Sequence, residues 1–244
     1  MDALSKDFYM KKDEIATIGI FSTIYAIIRV VPFFPIIGTQ ASFPLSDILV
    51  PLFGMILEPR IAFLSITLGT FISFVLGKPS IFLGLDFAPA ALAAFCVGKI
   101  LKNEKLQPSL LLLLAILFYF IHPNSLPFIE VSSIPIPYMY LHIVVLLFII
   151  LYPFNKYIYS IKRRQMLISV FLLVFTCTMI QHAIGTDIFL VVFGNVLGKI
   201  SNEAWPIIWK TCFYLYHIER IAISFLSFLI TIPTLAILRK RKLR

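Results

Sequence analysis

Few side chains in this sequence are ionisable, and several of those sit inside or at the ends of apolar runs. They include Asp47, Asp86, His182 and Asp187, together with Arg29, His217, Glu219 and Arg220. An ionisable group at membrane depth costs free energy, so each such position is a candidate for function. Asp47, Asp86, His182 and Asp187 fall toward one predicted side of the apolar segments, where together they would line a polar cavity for a small molecule. Asp47 has two readings. It stands in the stretch FPLSDILVPLFG (43–54), and Pro44 before Ser46 and Asp47 resembles a helix start, where a carboxylate accepts from free backbone N–H groups. The other reading has it facing the cavity. The neighbours Glu219 and Arg220 read as an ion pair, and long side chains near segment ends reach out to the polar boundary.

Catalytic chemistry finds little to build on, and the chain reads as a non-enzyme. No HExxH, Walker A or GxGxxG pattern occurs. Cys177 and His182 are five residues apart on one apolar run, which puts them about 140° apart around a helix, so they do not form a nucleophile–base pair. The three cysteines, Cys96, Cys177 and Cys212, lie in apolar runs without metal-ligand spacing and read as packing residues. No cofactor or metal is expected. Without a Walker A, any ATP-driven step must come from partner subunits.

The elements that must hold these residues are set by composition. Of 244 residues, 60% are hydrophobic and only 14% charged, against about 25% in a water-soluble domain. Mean hydropathy is +0.96. The expectation is an all-α integral-membrane bundle in a multi-pass cell membrane, forming one membrane domain over 1–244, with the lipid bilayer as its surroundings. Eight apolar runs qualify as helices: 15–35, 45–57, 61–77, 83–101, 108–122, 138–154, 166–184 and 212–238. A span takes about 20 residues, so the second and fifth are short. Six to eight transmembrane helices are predicted; six applies if 45–57 and 61–77 form a re-entrant hairpin.

The net charge of +9 is distributed as a topology signal. Lys6, Lys11 and Lys12, then Lys99, Lys102 and Lys105, then Lys156, Lys162, Arg163 and Arg164, then the 239–244 tail all fall on one side when the runs are counted alternately. Lys and Arg favour cytoplasmic loops, so both termini are predicted to be cytoplasmic, with 1–14 and the basic tail inside. The same distribution argues against nucleic-acid binding. The polar start predicts no cleaved leader. Two regions are neither span nor simple loop: the Pro-rich 123–137, read as an ordered external loop, and 185–210, read as an interfacial or re-entrant segment with Trp205 and Trp209 at headgroup level.

The first run carries Gly19, Ser22, Thr23 and Ala26, at offsets 0, 3, 4 and 7 on one helix face. Small residues allow a second helix to approach closely, either a partner subunit or a helix of the same bundle. Ser46-Asp47-Ile48, the later Pro51 and Gly54, the Glu58-Pro59 turn and the glycine-containing run that follows resemble the substrate-binding S components of energy-coupling-factor (ECF) vitamin transporters. The resemblance covers roughly residues 15–101. It implies a subunit that binds a vitamin-like small molecule in an outward-facing cavity, for uptake driven by cytoplasmic ATPases. It also implies that the Ser22/Ala26 face docks on a transmembrane coupling subunit. The alternative is a structural or accessory subunit of a larger membrane complex with no substrate of its own.

Overall fold

The computed structural model describes residues 10–39 and 41–242; residues 1–9 and 243–244, which include Lys6 and Arg244 of the two basic ends, lie outside the described residues. The chain is mostly helical. Helix α1 (Lys12–Arg29) leads into a short antiparallel hairpin, β1 (Pro32–Pro35) and β2 (Ser42–Pro44). A 3₁₀ stretch, Leu45–Leu49, runs straight into α2 (Val50–Ile56), and α3 (Pro59–Val75) returns. After a loop come α4 (Ala88–Leu101) and α5 (Leu106–Ile121). A second hairpin, β3 (Phe128–Val131) and β4 (Ile134–Pro137), precedes α6 (Tyr140–Leu151) and the single turn α7 (Phe154–Tyr157). Two long helices finish the chain, α8 (Arg163–Phe189) with a π-helical continuation over Leu190–Val196, and α9 (Ala204–Lys242).

Local sequence explains most of these boundaries. Prolines 51, 59 and 89 stand in the first turns of α2, α3 and α4, where a missing N–H costs nothing and the fixed φ suits a helix. Pro51 therefore begins α2 and does not kink a longer helix. Glu14 closes the start of α1 by accepting the Lys11 N–H at 3.0 Å. At the other end of a helix, Lys105 Nζ donates to the carbonyls of Ile150 and Tyr152 at 3.1 and 3.0 Å, satisfying groups that the end of α6 leaves free.

Helix α8 is the centre of the bundle, packed against α2, α4, α5, α6, α7 and α9. Two glycines permit close approaches between helix backbones elsewhere. A Cβ on Gly69 of α3 would lie 2.6 Å from the carbonyl oxygen of Ser22 on α1, and one on Gly54 of α2 would lie 2.6 Å from that of Ala94 on α4. The small-residue stripe on α1 is thus divided. Ser22 and Ala26 are fully buried, with Ser22 against α3, while Gly19 and Thr23 are exposed. This corrects the expectation of a single open docking face: the stripe straddles the edge of the α1–α3 contact, and its Ser22/Ala26 half is already occupied inside the chain.

Among the described residues, two helical stretches are long and apolar enough to cross a bilayer, Arg163–Val196 and Ala204–Ile237. Large apolar side chains also cover the outside of the shorter helices: Ile20, Ile24 and Ile27 on α1, Leu64, Leu68 and Phe71 on α3, Leu114 and Leu117 on α5. The expected interfacial segment at 185–210 is not a separate element. Its first part completes α8 and the π turn, and its last part opens α9, which begins eight residues before the predicted start of that run. Trp205 and Trp209 are buried and stacked on each other at 5.9 Å, so they are core residues and not headgroup anchors. The Pro-rich 123–137 is ordered, and most of it is the β3–β4 hairpin.

The basic end of the bundle holds the α2–α3 and α4–α5 turns, where Lys102 pairs with Glu58 and Lys99 with Glu104. The opposite end carries both hairpins and the loop between α3 and α4.

Candidate functional site

At the hairpin end the helices enclose a cavity of about 100 Å³. Several elements supply its walls: the end of α1, the β1–β2 hairpin, the 3₁₀ stretch, the 78–86 loop, and the facing parts of α8 and α9. One side is aromatic. Phe189, Trp209, Tyr138 and Tyr216 form a chain of rings, with centroids 6.0, 5.3 and 5.6 Å apart in that order. Trp209 is held by its indole N–H, which donates to the Asn124 carbonyl at 2.7 Å, and Tyr216 donates to the Tyr138 carbonyl at 3.3 Å.

The other side is charged. Asp47 is 2% exposed and Arg220 1%, values that only paired or functional charges normally reach. Asp47 caps nothing. It lies within the 3₁₀ stretch, Pro44 occupies the cap position, and that stretch has no side-chain cap bond. One carboxylate oxygen, Oδ2, is buried without a hydrogen-bond partner. The cap reading is therefore corrected: a carboxylate one turn into the segment, among residues that line the cavity, does not reach back to the free N–H groups at its start.

Arg29 is held loosely. Its two terminal nitrogens reach the Tyr25 hydroxyl at 3.5 Å and the Asp86 backbone carbonyl at 3.4 Å, and its Nε has no partner. Arg220 pairs with Glu219, stands over the Phe43 ring at 5.3 Å, and also leaves Nε without a partner. Gln181 Oε1 is a fourth unpaired buried atom on the same wall. Buried polar groups are normally satisfied, so four unpaired atoms on residues that line one cavity mark it as the candidate site.

Asp86 also lines the cavity, but its carboxylate is engaged. It accepts from Ser80 Oγ at 2.7 Å and from the N–H groups of Ile81 and Phe82 at 2.9 and 3.1 Å. Ser80 Oγ accepts in turn from the Gly84 N–H at 2.7 Å. These bonds fold the loop around Leu83 and Gly84, both in the left-handed region with φ of 52° and 92°. Leucine is costly there, and the Asp86 bonds hold it in place. Lys78, on the same loop, donates to the Ser42 carbonyl at 3.4 Å and so ties the loop to the first hairpin. Its burial, with the Arg29 charge nearby, holds its ammonium below the ordinary lysine value.

His182 lines the cavity and continues inward as a histidine pair. Its Nδ1 lies 3.0 Å from Nε2 of the fully buried His142, and its ring stacks on Tyr216 at 4.9 Å. Nearby, the Tyr140 hydroxyl bonds His217 Nε2 at 2.6 Å. Asp187 does not join them. Gln181, His182, Gly185, Thr186 and Phe189 share the cavity side of α8, and at about 100° per residue Asp187 points roughly 140° from His182. Asp187 is half-buried elsewhere, with Oδ1 unpaired.

The structure thus brings Asp47, Asp86 and His182 to one cavity and leaves Asp187 outside it. It adds Lys78, Gln181, Tyr138 and Trp209, none of which the sequence marks as a cavity residue. Lys78 stands in a turn-like GKPS, and Gln181 differs from its neighbours only in being polar within an apolar run. Among the described residues no group of three or more His, Cys, Asp or Glu side chains converges to hold a metal ion. Compared with protein-family models, with curated proteins and with solved structures, the chain matches none.

Proposed function

We propose that this chain is a multi-pass membrane subunit that captures a small molecule from the outer side, as the S component of an ECF-type importer does. The observation that carries the reading is the cavity at the hairpin end, with Asp47 Oδ2, Arg29 Nε, Arg220 Nε and Gln181 Oε1 buried and unpaired on its wall. An accessory subunit with no ligand of its own has no need of such a wall, which costs stability when empty.

Membrane embedding is supported by the two long apolar helices and the apolar outer faces of the shorter ones. In this reading the basic end is cytoplasmic and the hairpin end faces out. In this reading the described helices α1, Leu45–Ile56, α3, α4, α5, α6, α8 and α9 run between the two ends. The segment at Leu45–Ile56 has 12 residues, as does α6, and is about 20 Å long. It begins beside the hairpin and ends at Glu58, which pairs with Lys102 at the basic end. All of Val50–Met55 is buried, so protein and not lipid surrounds it, and a short helix suffices. These features favour eight crossings over a re-entrant hairpin.

In this mechanism the outer cavity binds the molecule, and partner subunits provide the ATP-driven step that releases it inside. Gly19 and Thr23, the open half of the α1 stripe, are the part of it left for a coupling subunit. The test is native mass spectrometry of the protein purified from its own host, with identification of co-purifying chains. A retained small molecule together with ATPase subunits is the expected result. Isolation with an unrelated complex and no retained molecule overturns the reading.

A further inference from the structure

Resting on the membrane embedding of the chain and not on its ligand cavity, we propose that the outer face of α6 binds an anionic phospholipid of the cytoplasmic leaflet, with an acyl chain in a groove on the helix and the phosphate among Lys156, Lys162, Arg163 and Arg164.

The groove is apolar. It follows α6 and the residues just after it, is lined by Val144, Leu147, Phe148, Leu151, Tyr152 and Pro153, and holds about 380 Å³. Val144, Leu147 and Leu151 stand three and four residues apart, so they share one helix face, and all three are exposed. From Val144 to Leu151 the helix rises about 10 Å, a strip suited to a hydrocarbon chain lying along it.

The mouth of the groove lies at the basic end of the bundle. Lys105, from the α4–α5 turn, donates there to the carbonyls of Ile150 and Tyr152 at 3.1 and 3.0 Å, so the negative end of α6 is covered and does not repel an anion. The Tyr152 ring lies 5.6 Å from that of Tyr157, and Lys156 Nζ stands 5.7 Å over the Tyr157 ring. Apolar groove, aromatic pair and ammonium thus follow one another in the order of hydrocarbon, interface and headgroup in a leaflet.

Charge selects the headgroup. The other two turns at this end neutralise their lysines, Lys102 with Glu58 and Lys99 with Glu104. The connection from α6 to α8 does not. Lys156, Lys162, Arg163 and Arg164 are exposed, and among the described residues none of them forms an ion pair. No Asp or Glu occurs in the sequence between Glu130 and Asp187. Four uncompensated cations beside an apolar groove match a lipid with a net negative headgroup, and a zwitterionic headgroup has no net charge to answer them. An acidic peptide answers the charge alone, because a hydrated chain gains nothing from a groove on the lipid-facing side of α6.

The test uses the full chain in detergent, titrated with dioleoylphosphatidylglycerol or dioleoylphosphatidylcholine, which have the same chains and differ in net charge. Native mass spectrometry counts the retained lipids. A Lys or Arg near an anionic surface contributes about fivefold in affinity, so the first phosphatidylglycerol is expected to bind about tenfold tighter than phosphatidylcholine, or more. Lys156→Gln combined with Arg163→Gln and Arg164→Gln should remove the preference. Lys99→Gln with Glu104→Gln, which removes a paired charge from the same end of the bundle, should keep it. Leu147→Trp fills the groove and should weaken phosphatidylglycerol by about fivefold or more. Val144→Trp, one turn away on the same face, repeats that test if the first variant is unstable.

Equal affinity for the two lipids, or a preference that survives the triple substitution, overturns the anionic site. Undiminished binding to the folded groove variants overturns the groove. Displacement of phosphatidylglycerol by an oligoglutamate peptide of equal Kd overturns the lipid and assigns the patch to an acidic partner. A chain that stays soluble without detergent and retains neither lipid overturns the membrane embedding as well, whereas a detergent-dependent chain that holds both lipids alike loses only the anionic site.

Discussion

Asp47 and Asp86 line the same cavity, yet the Asp86 carboxylate accepts three hydrogen bonds from its own loop while Asp47 leaves Oδ2 with none. Their substitutions should therefore separate. Asp86→Asn replaces an acceptor oxygen with an NH₂ facing donors, and should cost about 1–3 kcal/mol of stability, seen as a lower unfolding temperature in detergent. Asp47→Asn keeps the side-chain shape and breaks no hydrogen bond at Oδ2. It should leave the unfolding temperature nearly unchanged and abolish retention of the ligand in native mass spectrometry. Equal loss of stability in the two variants would mean that Asp47 is structural after all.

Acid should weaken the fold at His122. This imidazole stands in the turn after α5, is buried, and accepts the Asn124 N–H at Nδ1 over 3.2 Å. Accepting requires an unprotonated Nδ1, and burial lowers the group below the ordinary histidine value. The unfolded chain thus binds the proton more readily, and stability present above about pH 6.5 is lost as pH falls through the lowered folded value. Loss of that bond, about 1 kcal/mol, corresponds to about 2–4 °C in a chain of this size. Thermal scans between pH 7.5 and 5 should show the drop, and His122→Asn should flatten this part of the profile.

Glycines on the two sides of the α1 stripe should behave in opposite ways. Gly69→Ala drives a Cβ to within 2.6 Å of the Ser22 carbonyl oxygen, so α1 and α3 must separate. A cost of about 1–3 kcal/mol is expected. Gly19 has open space around its would-be Cβ, and Gly19→Leu should fold normally. If Gly19 and Thr23 meet a coupling subunit, the same variant should lose co-purification with that subunit while retaining the ligand. Intact co-purification would sink the assignment of this face.

The second hairpin turns through Ser132 and Ser133, with φ of 51° and 66°, between strands paired from Val131 and Ile134 outward. Such a two-residue turn favours Asn-Gly, because both positions lie in the left-handed region. Replacing the pair by Ser132→Asn with Ser133→Gly should stabilise the chain by about 1 kcal/mol, or about 2–4 °C. A fall in unfolding temperature would show that the serine hydroxyls contribute bonds worth more than the backbone relief.

Much of this architecture was legible in the sequence, and the reasons are specific. The apolar runs 61–77 and 83–101 locate α3 and α4, but α4 starts five residues after its run, at the Pro89 turn that the run alone does not mark. The ends of α8 and α9 were not legible. GTDIFLVVFGNV and SNEAWPIIWK read as breaks, but α8 runs through Gly185 and the tryptophans of the second stretch pack into the core, so tertiary contact overrides local polarity. At the site, Asp47, Asp86 and His182 stand out as charges in apolar surroundings. Asp187 stands out equally and is excluded only by its angle on α8, which matters once the neighbours are known. Gln181 and the aromatic wall have no distinguishing local pattern, since glutamine and aromatics are ordinary in any packed helix. Their role depends on which face of α8 and α9 meets the hairpin, a relation between segments far apart in the chain.

The π-helical turn at Leu190–Val196 has a bearing on how this chain tolerates changes in length. Its closing bond runs from the Leu197 N–H to the Val192 carbonyl, five residues back, at 2.8 Å, so the winding holds one residue more per turn than an α-helix. Removing one residue there lets the backbone fall back to ordinary α winding. The cavity-lining residues up to Phe189 lie upstream and keep their register, and the 197–203 connection absorbs the rotation before α9 begins. The turn therefore marks a place where single-residue deletions should be accepted without rearranging the cavity, whereas the same deletion in α8 ahead of Gln181 would rotate Gln181 and His182 out of it.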